Sequence, residues 1–314
     1  MKSVLAADIG GTKCRFALVT EDRAIHQARK ISTPDDADDF IAAMNTAFDE
    51  LREVTIEGVD PPSGMGVAIA GLVTPDHRRM TNSSNLPIDG IHLADLLEKV
   101  HDLPCSLIND GRASAYGEYV EGHAAGKDPL LVLFFGTGIG IGLIVNGSPY
   151  EGAANAAGEI GHTFSWPSGR LCPCGEEGHF EAYCGGGPMT ERAAQELGPT
   201  PAGASRWTVG DIVSAAETRP EARAILADAE DAACAMTSSL VTLLNPAAIV
   251  LGGGVLAGWP ELRDKIADFI RARCRSAVTQ GLEIVPTMAG SDAILWGAAW
   301  ASGKLWPSQS PGSA

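Results

Sequence analysis

The residues able to do chemistry fall in a few short runs. Asp8-Ile9-Gly10-Gly11-Thr12-Lys13 puts a carboxylate, two adjacent glycines, a hydroxyl and a cation side by side. Glycine has no Cβ, so neighbouring backbone N–H groups can converge on an anion that approaches the chain closely. Asp8 could hold Mg²⁺ through water, while Thr12 and Lys13 add a hydroxyl and a positive charge. Gly136-Thr137-Gly138 offers a second set of amides with a hydroxyl, and Gly252-Gly253-Gly254 could reach a nucleotide from a third side. Any one of these alone is weak evidence, since an ordinary hairpin or βα turn looks the same. Gly138-Ile139-Gly140-Ile141-Gly142 superficially resembles a dinucleotide fingerprint, but Leu143-Ile144-Val145 follows, an apolar strand where that fingerprint requires a helix. No Gly-Lys-Ser/Thr loop of the Walker type is present.

A second group is acidic and metal-binding. Asn109-Asp110 follows the apolar run through Ile108. A carboxylate at a strand end can face a ligand crevice and accept the proton of an attacking hydroxyl, or it can cap the next helix. Sequence spacing leaves both open. Further on, His162, Cys172, Cys174 and His179 supply two imidazoles and two thiols, with Gly175 and Gly178 letting the loop fold back. That set fits a closed, structural zinc site; the alternative is an unmetallated loop.

Strands and turns must carry these groups. Ser3–Ala7 and Cys14–Val19 read as strands on either side of the first turn, and Leu130–Phe135 and Gly140–Val145 on either side of the second. This shared grammar points to an internal duplication. Helical spacing marks 39–53, 93–100, 113–119, 189–197, 222–244, 261–275 and 291–301, with short strands at 66–70, 106–109 and 248–251. The stretch 150–188 is rich in glycine and proline and reads as loop.

Bulk composition narrows the function classes. A formal charge of -16 disfavours nucleic acid and anionic membrane surfaces as partners, although backbone amides can still bind phosphate locally. Seven scattered cysteines do not form a disulfide framework, and there is no signal-peptide pattern or membrane-length apolar run. A reducing cytoplasm is the expected compartment.

Together these runs resemble the repressor–ORF–kinase (ROK) family of sugar kinases, in the actin-like ATPase superfamily. The likeness rests on Asp8 to Lys13, Asn109-Asp110, Gly136 to Gly138, Glu159-x-x-His162, Cys172-x-Cys174-Gly175-x-x-Gly178, Glu181 and Gly252 to Gly254, and covers nearly the whole chain. The resemblance implies an α/β, two-domain, ribonuclease H-like fold with a cleft between domains. The first domain is expected over 1–115, completed by about 295–314, and the larger second domain, carrying the zinc loop, over 116–294. It implies transfer from ATP with Mg²⁺ to a hexose, glucose O6 first, with N-acetylmannosamine, N-acetylglucosamine or fructose, or a non-catalytic sugar sensor, as alternatives. By the same resemblance Asp110 is the general base, and Asn85, Asn109, Glu159, His162 and Glu181 hold sugar hydroxyls. Asp8, Gly10, Gly11, Thr12, Lys13, Thr137, Gly138, Gly253 and Gly254 serve the nucleotide. Structural Zn²⁺ falls to His162, Cys172, Cys174 and His179, where His179 replaces the family's usual third cysteine. Repressor members carry an N-terminal DNA-binding segment for which this chain, starting at its first strand, is expected to leave no room. A homodimer is also implied. None of the nucleotide segments lies in the metal loop, so losing the metal is expected to raise the sugar KM while moving the ATP KM much less.

Overall fold

The computed structural model describes residues 1–81, 86–201, 203–288, 290 and 292–306. In chain order the strands are β1 (Ser3–Ile9), β2 (Lys13–Thr20), β3 (Ile25–Ser32), β4 (Met65–Ile69), β5 (Leu72–Val73), β6 (Met80–Thr81) and β7 (Cys105–Asn109). They continue as β8 (Leu130–Phe135), β9 (Ile139–Val145), β10 (Ser148–Pro149), β11 (Ala248–Gly252) and β12 (Glu283–Pro286). One sheet runs β3-β2-β1-β4-β7 and another β10-β9-β8-β11-β12, with β5 and β6 forming a small ribbon.

The two large sheets share one plan. In the first, β2 is antiparallel to β1 and β3, and β4 and β7 extend it in parallel. In the second, β10 is antiparallel to β9, and β11 and β12 extend β8 in parallel. Strands β8 and β9 are neighbours joined by the three residues Gly136 to Gly138, and so short a link permits only antiparallel pairing. The duplication legible in the two glycine hairpins thus extends to the whole order of each sheet.

The chain divides into two compact units, one of Met1–Gly126 with Gly142–Ala157 and Met288–Ala314, the other of Lys127–Ile141 with Gly158–Thr287. The first unit therefore takes back the end of β9 and the residues that follow it, as well as the C-terminal segment. Its β1 is buried on both faces, which is why it reads as a continuous apolar run. Leu5, Ala7, Ile9, Phe16 and Leu18 pack on Phe40, Met44 and Phe48 of the helix Ala37–Arg52. Val4, Ala6, Ala17 and Ala68 pack on Leu295 and Ala298 of the helix Asp292–Ala301. In the second unit Leu131, Leu133, Ile249 and Leu251 meet apolar residues of the helices Gly186–Leu197, Val209–Ala216, Pro220–Leu244 and Glu261–Arg273.

Most helices lie within a few residues of their expected bounds, and three differences have plain causes. Strand β3 was not anticipated because most of its side chains are exposed or half-buried, leaving no apolar alternation to read. The helix expected from 189 starts at Gly186, since Pro188 sits in its first turn, where its missing N–H costs nothing. The helix expected from 113 starts at Asp110, because the Asn109 side chain caps it by accepting the N–H of Arg112.

The helix Asp292–Ala301 fixes the one that begins at Asp110. A Cβ on Gly297 would lie 2.1 Å from the carbonyl oxygen of Ala113, and one on Gly117 2.3 Å from the Cα of Ala293. The two helices therefore touch backbone to backbone. Gly297→Ala should destabilise the protein by about 1–3 kcal/mol through overpacking, read as a lower denaturant midpoint. An unchanged midpoint would mean that this crossing is looser than its geometry implies.

Candidate active site

In the first unit the parallel register sets Ile9, Ile69 and Asn109 in one row across β1, β4 and β7. Asp8 and Asp110 are thereby brought to the carboxyl ends of parallel strands, where ligands bind in open α/β sheets. Burial, followed by the nearby charge of Asp110, pushes the Asp8 carboxyl up to about 6, and Arg15 acts in the opposite sense. Arg15 is the cross-strand partner of Asp8 and pairs with Asp292 at 2.8 Å.

The helix cap is Asn109, whose Oδ1 accepts the N–H of Arg112 at 3.2 Å. Asp110 is thus the first helical residue rather than the cap. Its Oδ1 accepts the N–H of Gly111 at 2.9 Å and Nδ2 of Asn109 at 3.1 Å. Asn109 Nδ2 also donates to the carbonyl of Gly71 at 3.1 Å, so both of its amide hydrogens are spent on holding the strand end and Asp110. Asn85 lies outside the described residues.

The first glycine turn is held from its carbonyl side. Gly10 O accepts Thr33 Oγ1 at 2.6 Å, and Thr12 O accepts the N–H of Thr33 at 3.1 Å. In a trans peptide the N–H points opposite to its C=O, so anchoring Gly10 O turns the N–H of Gly11 outward. Gly11, Thr12 and Lys13 are exposed. Thr33 was missed by sequence reasoning. Its only mark is a Thr-Pro step after a strand too polar to be recognised.

The second unit repeats the device. Gly136 O accepts the N–H of Gly186 at 2.9 Å, and Thr137 O accepts that of Gly187 at 2.8 Å. The N–H groups of Thr137 and Gly138 therefore face the other way, and neither has an acceptor among the described residues. Gly253 has φ of 101°, and a Cβ there would meet the carbonyl oxygen of Phe135 at 2.3 Å, so it packs on the end of β8. Gly254 faces open space. The Gly136 to Gly138 and Gly252 to Gly254 turns are adjacent, because β8 and β11 pair as far as Phe134 and Gly252.

Glu181 adjoins the same turn. Its Oε2 accepts the N–H of Ile139 at 2.8 Å. The nucleotide turns lie outside the metal loop, as expected, but the chain leaving that loop reaches one of them. The loop ends at His179, and Glu181 and Gly185 to Gly187 carry the chain directly onto Gly136 to Ile139. The signal available in sequence was the Gly185-Gly186-Gly187 run itself.

His162, Cys172, Cys174 and His179 place one donor atom each within 4.8 Å of one another. Cys172 Sγ lies 3.6 Å from His162 Nδ1, and Cys174 Sγ 3.2 Å from His179 Nδ1. Zinc–sulfur and zinc–nitrogen bonds of about 2.3 and 2.0 Å give tetrahedral edges of roughly 3.3–3.8 Å, so these two Cys–His pairs have the spacing, and the four side chains the donor types, that a zinc ion takes. Gly178 has φ of 79°, and a Cβ there would meet the carbonyl oxygen of Trp166 at 1.8 Å, which closes the loop. Glu159 Oε2 is 3.9 Å from His162 Nε2, on the side of the ring away from the sulfur.

No helix among the described residues is long and apolar enough to cross a membrane. The chain is 31% identical over 305 residues to an N-acetylmannosamine kinase of Vibrio cholerae, covering 94% of this chain and 98% of that one. A ROK hexokinase from Thermus thermophilus superposes with a TM-score of 0.82 at 25% identity, covering 96% of this chain and 97% of that one. A ROK family glucokinase from Streptomyces griseus, solved with glucose and AMPPNP, gives a TM-score of 0.75 at 28% identity over 96% and 99% of the two chains. The fold is that of the actin-like ATPases. With the ROK family model matching residues 4–304, this chain belongs to the ROK family and is a sugar kinase.

Proposed function

We propose that the protein transfers the γ-phosphoryl group of ATP to the primary hydroxyl, O6, of an N-acetylhexosamine, with N-acetylmannosamine as its first substrate. The carrying observation is the likeness to N-acetylmannosamine kinase along 94% of the chain, which displaces glucose as first choice. Glucose stays as the second reading, favoured by the likeness to the glucose-bound glucokinase.

Asp110 acts as the general base. Its carboxylate is held by Asn109 and the N–H of Gly111, and it takes the proton of the sugar hydroxyl as that oxygen bonds to the γ-phosphorus. The bond to the β,γ-bridging oxygen breaks, and ADP leaves. Glu159, His162 and Glu181 hold sugar hydroxyls, and Asn85 is proposed to join them. Asn109 contributes chiefly by fixing Asp110. The outward amides of Gly11, Thr137 and Gly138 bind phosphate oxygens, with Gly10, Thr12, Lys13, Gly253 and Gly254 beside them; the N–H of Gly10 itself is taken by Lys13 O at 3.1 Å. Mg²⁺, when bound with the nucleotide, would neutralise phosphate charge, and Asp8 is the residue to hold it through water. His162, Cys172, Cys174 and His179 are proposed to carry a structural zinc.

A coupled ADP-release assay across hexoses and N-acetylhexosamines should give the highest kcat/KM with N-acetylmannosamine. On that substrate Asp110→Asn should lower kcat by a factor on the order of 10² or more while leaving sugar affinity nearly unchanged. A preference for glucose would restore the second reading, and a kcat within a few-fold of wild type would place the base elsewhere. Elemental analysis of protein purified without added metal should find about one zinc per chain, lost in Cys172→Ser. A metal-free protein of full activity and stability removes that assignment.

Asp8 carries a stability signature of its own. Its folded pKa of about 6 lies above the ordinary 3.8, so the folded state holds the proton more tightly than the unfolded one. Stability from this group is full below the unfolded value and is lost as pH rises through about 6. In metal-free protein Asp8→Asn should therefore match wild type near pH 4. Above pH 7 it should be more stable by up to about 2 kcal/mol, with activity impaired at every pH. A stability difference independent of pH would contradict this.

A further inference from the structure

The most informative contact not required by the reaction itself is the one between Glu181 and Ile139. Glu181 starts the short helix Glu181–Cys184, and its Oε2 accepts the N–H of Ile139 at 2.8 Å. Ile139 follows Gly138 directly and opens β9. A Cβ on Gly138 would lie 2.3 Å from that same Oε2, so a side chain at 138 would displace the carboxylate from this position. The other oxygen, Oε1, has no protein partner among the described residues.

The chain after Glu181 tightens this attachment. Gly185 N–H bonds back to Glu181 O at 2.9 Å, and Gly186 and Gly187 then bond to the carbonyls of Gly136 and Thr137. Cβ atoms at 185 and 186 would lie 2.8 and 2.7 Å from Glu181 O and Gly136 O, so the glycine run is required for this stitching. Gly136, Thr137 and Ile139 are thus all held by one short segment. Because those bonds occupy one side of the turn, the free N–H groups of Thr137 and Gly138 present themselves on the other.

We propose that Glu181 is a positioning residue for the nucleotide, setting the Gly136–Gly138 turn through the Ile139 amide, with its second oxygen left for the sugar. One carboxylate then ties donor and acceptor subsites together. It orders phosphate-binding amides before any sugar arrives, a pre-organising role that a pure sugar ligand would not have. The inference rests on the sugar-kinase reading in taking ATP as the nucleotide and a sugar as the partner of the second oxygen.

The test is ATP affinity measured calorimetrically with Mg²⁺ and no sugar, in wild type and in Glu181→Gln, Glu181→Ala and Gly138→Ala. Gln keeps an oxygen that can accept from Ile139, so its ATP Kd should stay within about threefold of wild type while its sugar KM rises. Glu181→Ala removes the acceptor, and Gly138→Ala pushes it away without altering it. Both should raise the sugar-free ATP Kd by roughly tenfold, the order of one charge-assisted hydrogen bond. Amide hydrogen exchange across 136–139 should be faster in both than in Glu181→Gln. A raised sugar KM with unchanged ATP Kd and exchange in both loss variants overturns the inference and leaves Glu181 a sugar ligand only. If Glu181→Ala does not fold, Gly138→Ala set against Glu181→Gln decides the matter in the same terms. Wild type that binds no ATP would instead overturn the kinase reading.

Discussion

The planarity of the peptide group is the constraint on which both nucleotide turns depend. A carbonyl held on one side of the chain commits the following N–H to the other side. At Gly10 the anchor is Thr33, and at Gly136 and Thr137 it is the Gly186-Gly187 pair. An acidic chain can hold phosphate this way without a basic patch, because the positive ends of backbone dipoles act locally. The long-range repulsion from a formal charge of -16 is screened over several ångströms of water, while the amides act at hydrogen-bond distance.

The same duplicated sheet carries two different chemistries. In the first unit, parallel strands bury Asp8 and bring it near Asp110, and burial first and that charge second raise its pKa. Such proximity of two acids costs stability, and the surrounding structure resists it. Arg15 sits opposite Asp8 and pairs with Asp292, at the start of the helix whose glycine contacts fix the Asp110 helix. In the second unit the corresponding strand ends hold no such acid pair among the described residues. There the glycine turn leans on a carboxylate, Glu181, and on the segment leaving the Cys–His cluster.

Much of this site is local chemistry and could be read from spacing. Asp8 to Lys13, Gly136 to Gly138, the Cys–His loop and the strand leading to Asp110 are each contained in a short stretch of chain. Their types restrict what they can do wherever the chain places them. The apolar strands were legible for a related reason: burial on both faces demands uninterrupted apolar runs. Substrate choice was not legible, since glucose and N-acetylmannosamine differ at one ring substituent and no short motif records the pocket that distinguishes them.

What the tertiary structure decided are the partners supplied by distant parts of the chain. Strand β3 is mostly exposed or half-buried and leaves no periodic trace, so Thr33 behind the first turn could not be anticipated. Asn109 and Asp110 are adjacent and both can cap a helix; only the backbone geometry at 109 shows which of them does. Glu181 meets Ile139 across 42 positions of sequence. A side chain's own chemistry belongs to its type and is present in the sequence. Which hydrogen-bond donor lies 2.8 Å away is settled by the packing of whole sheets and helices, and no local pattern encodes that distance.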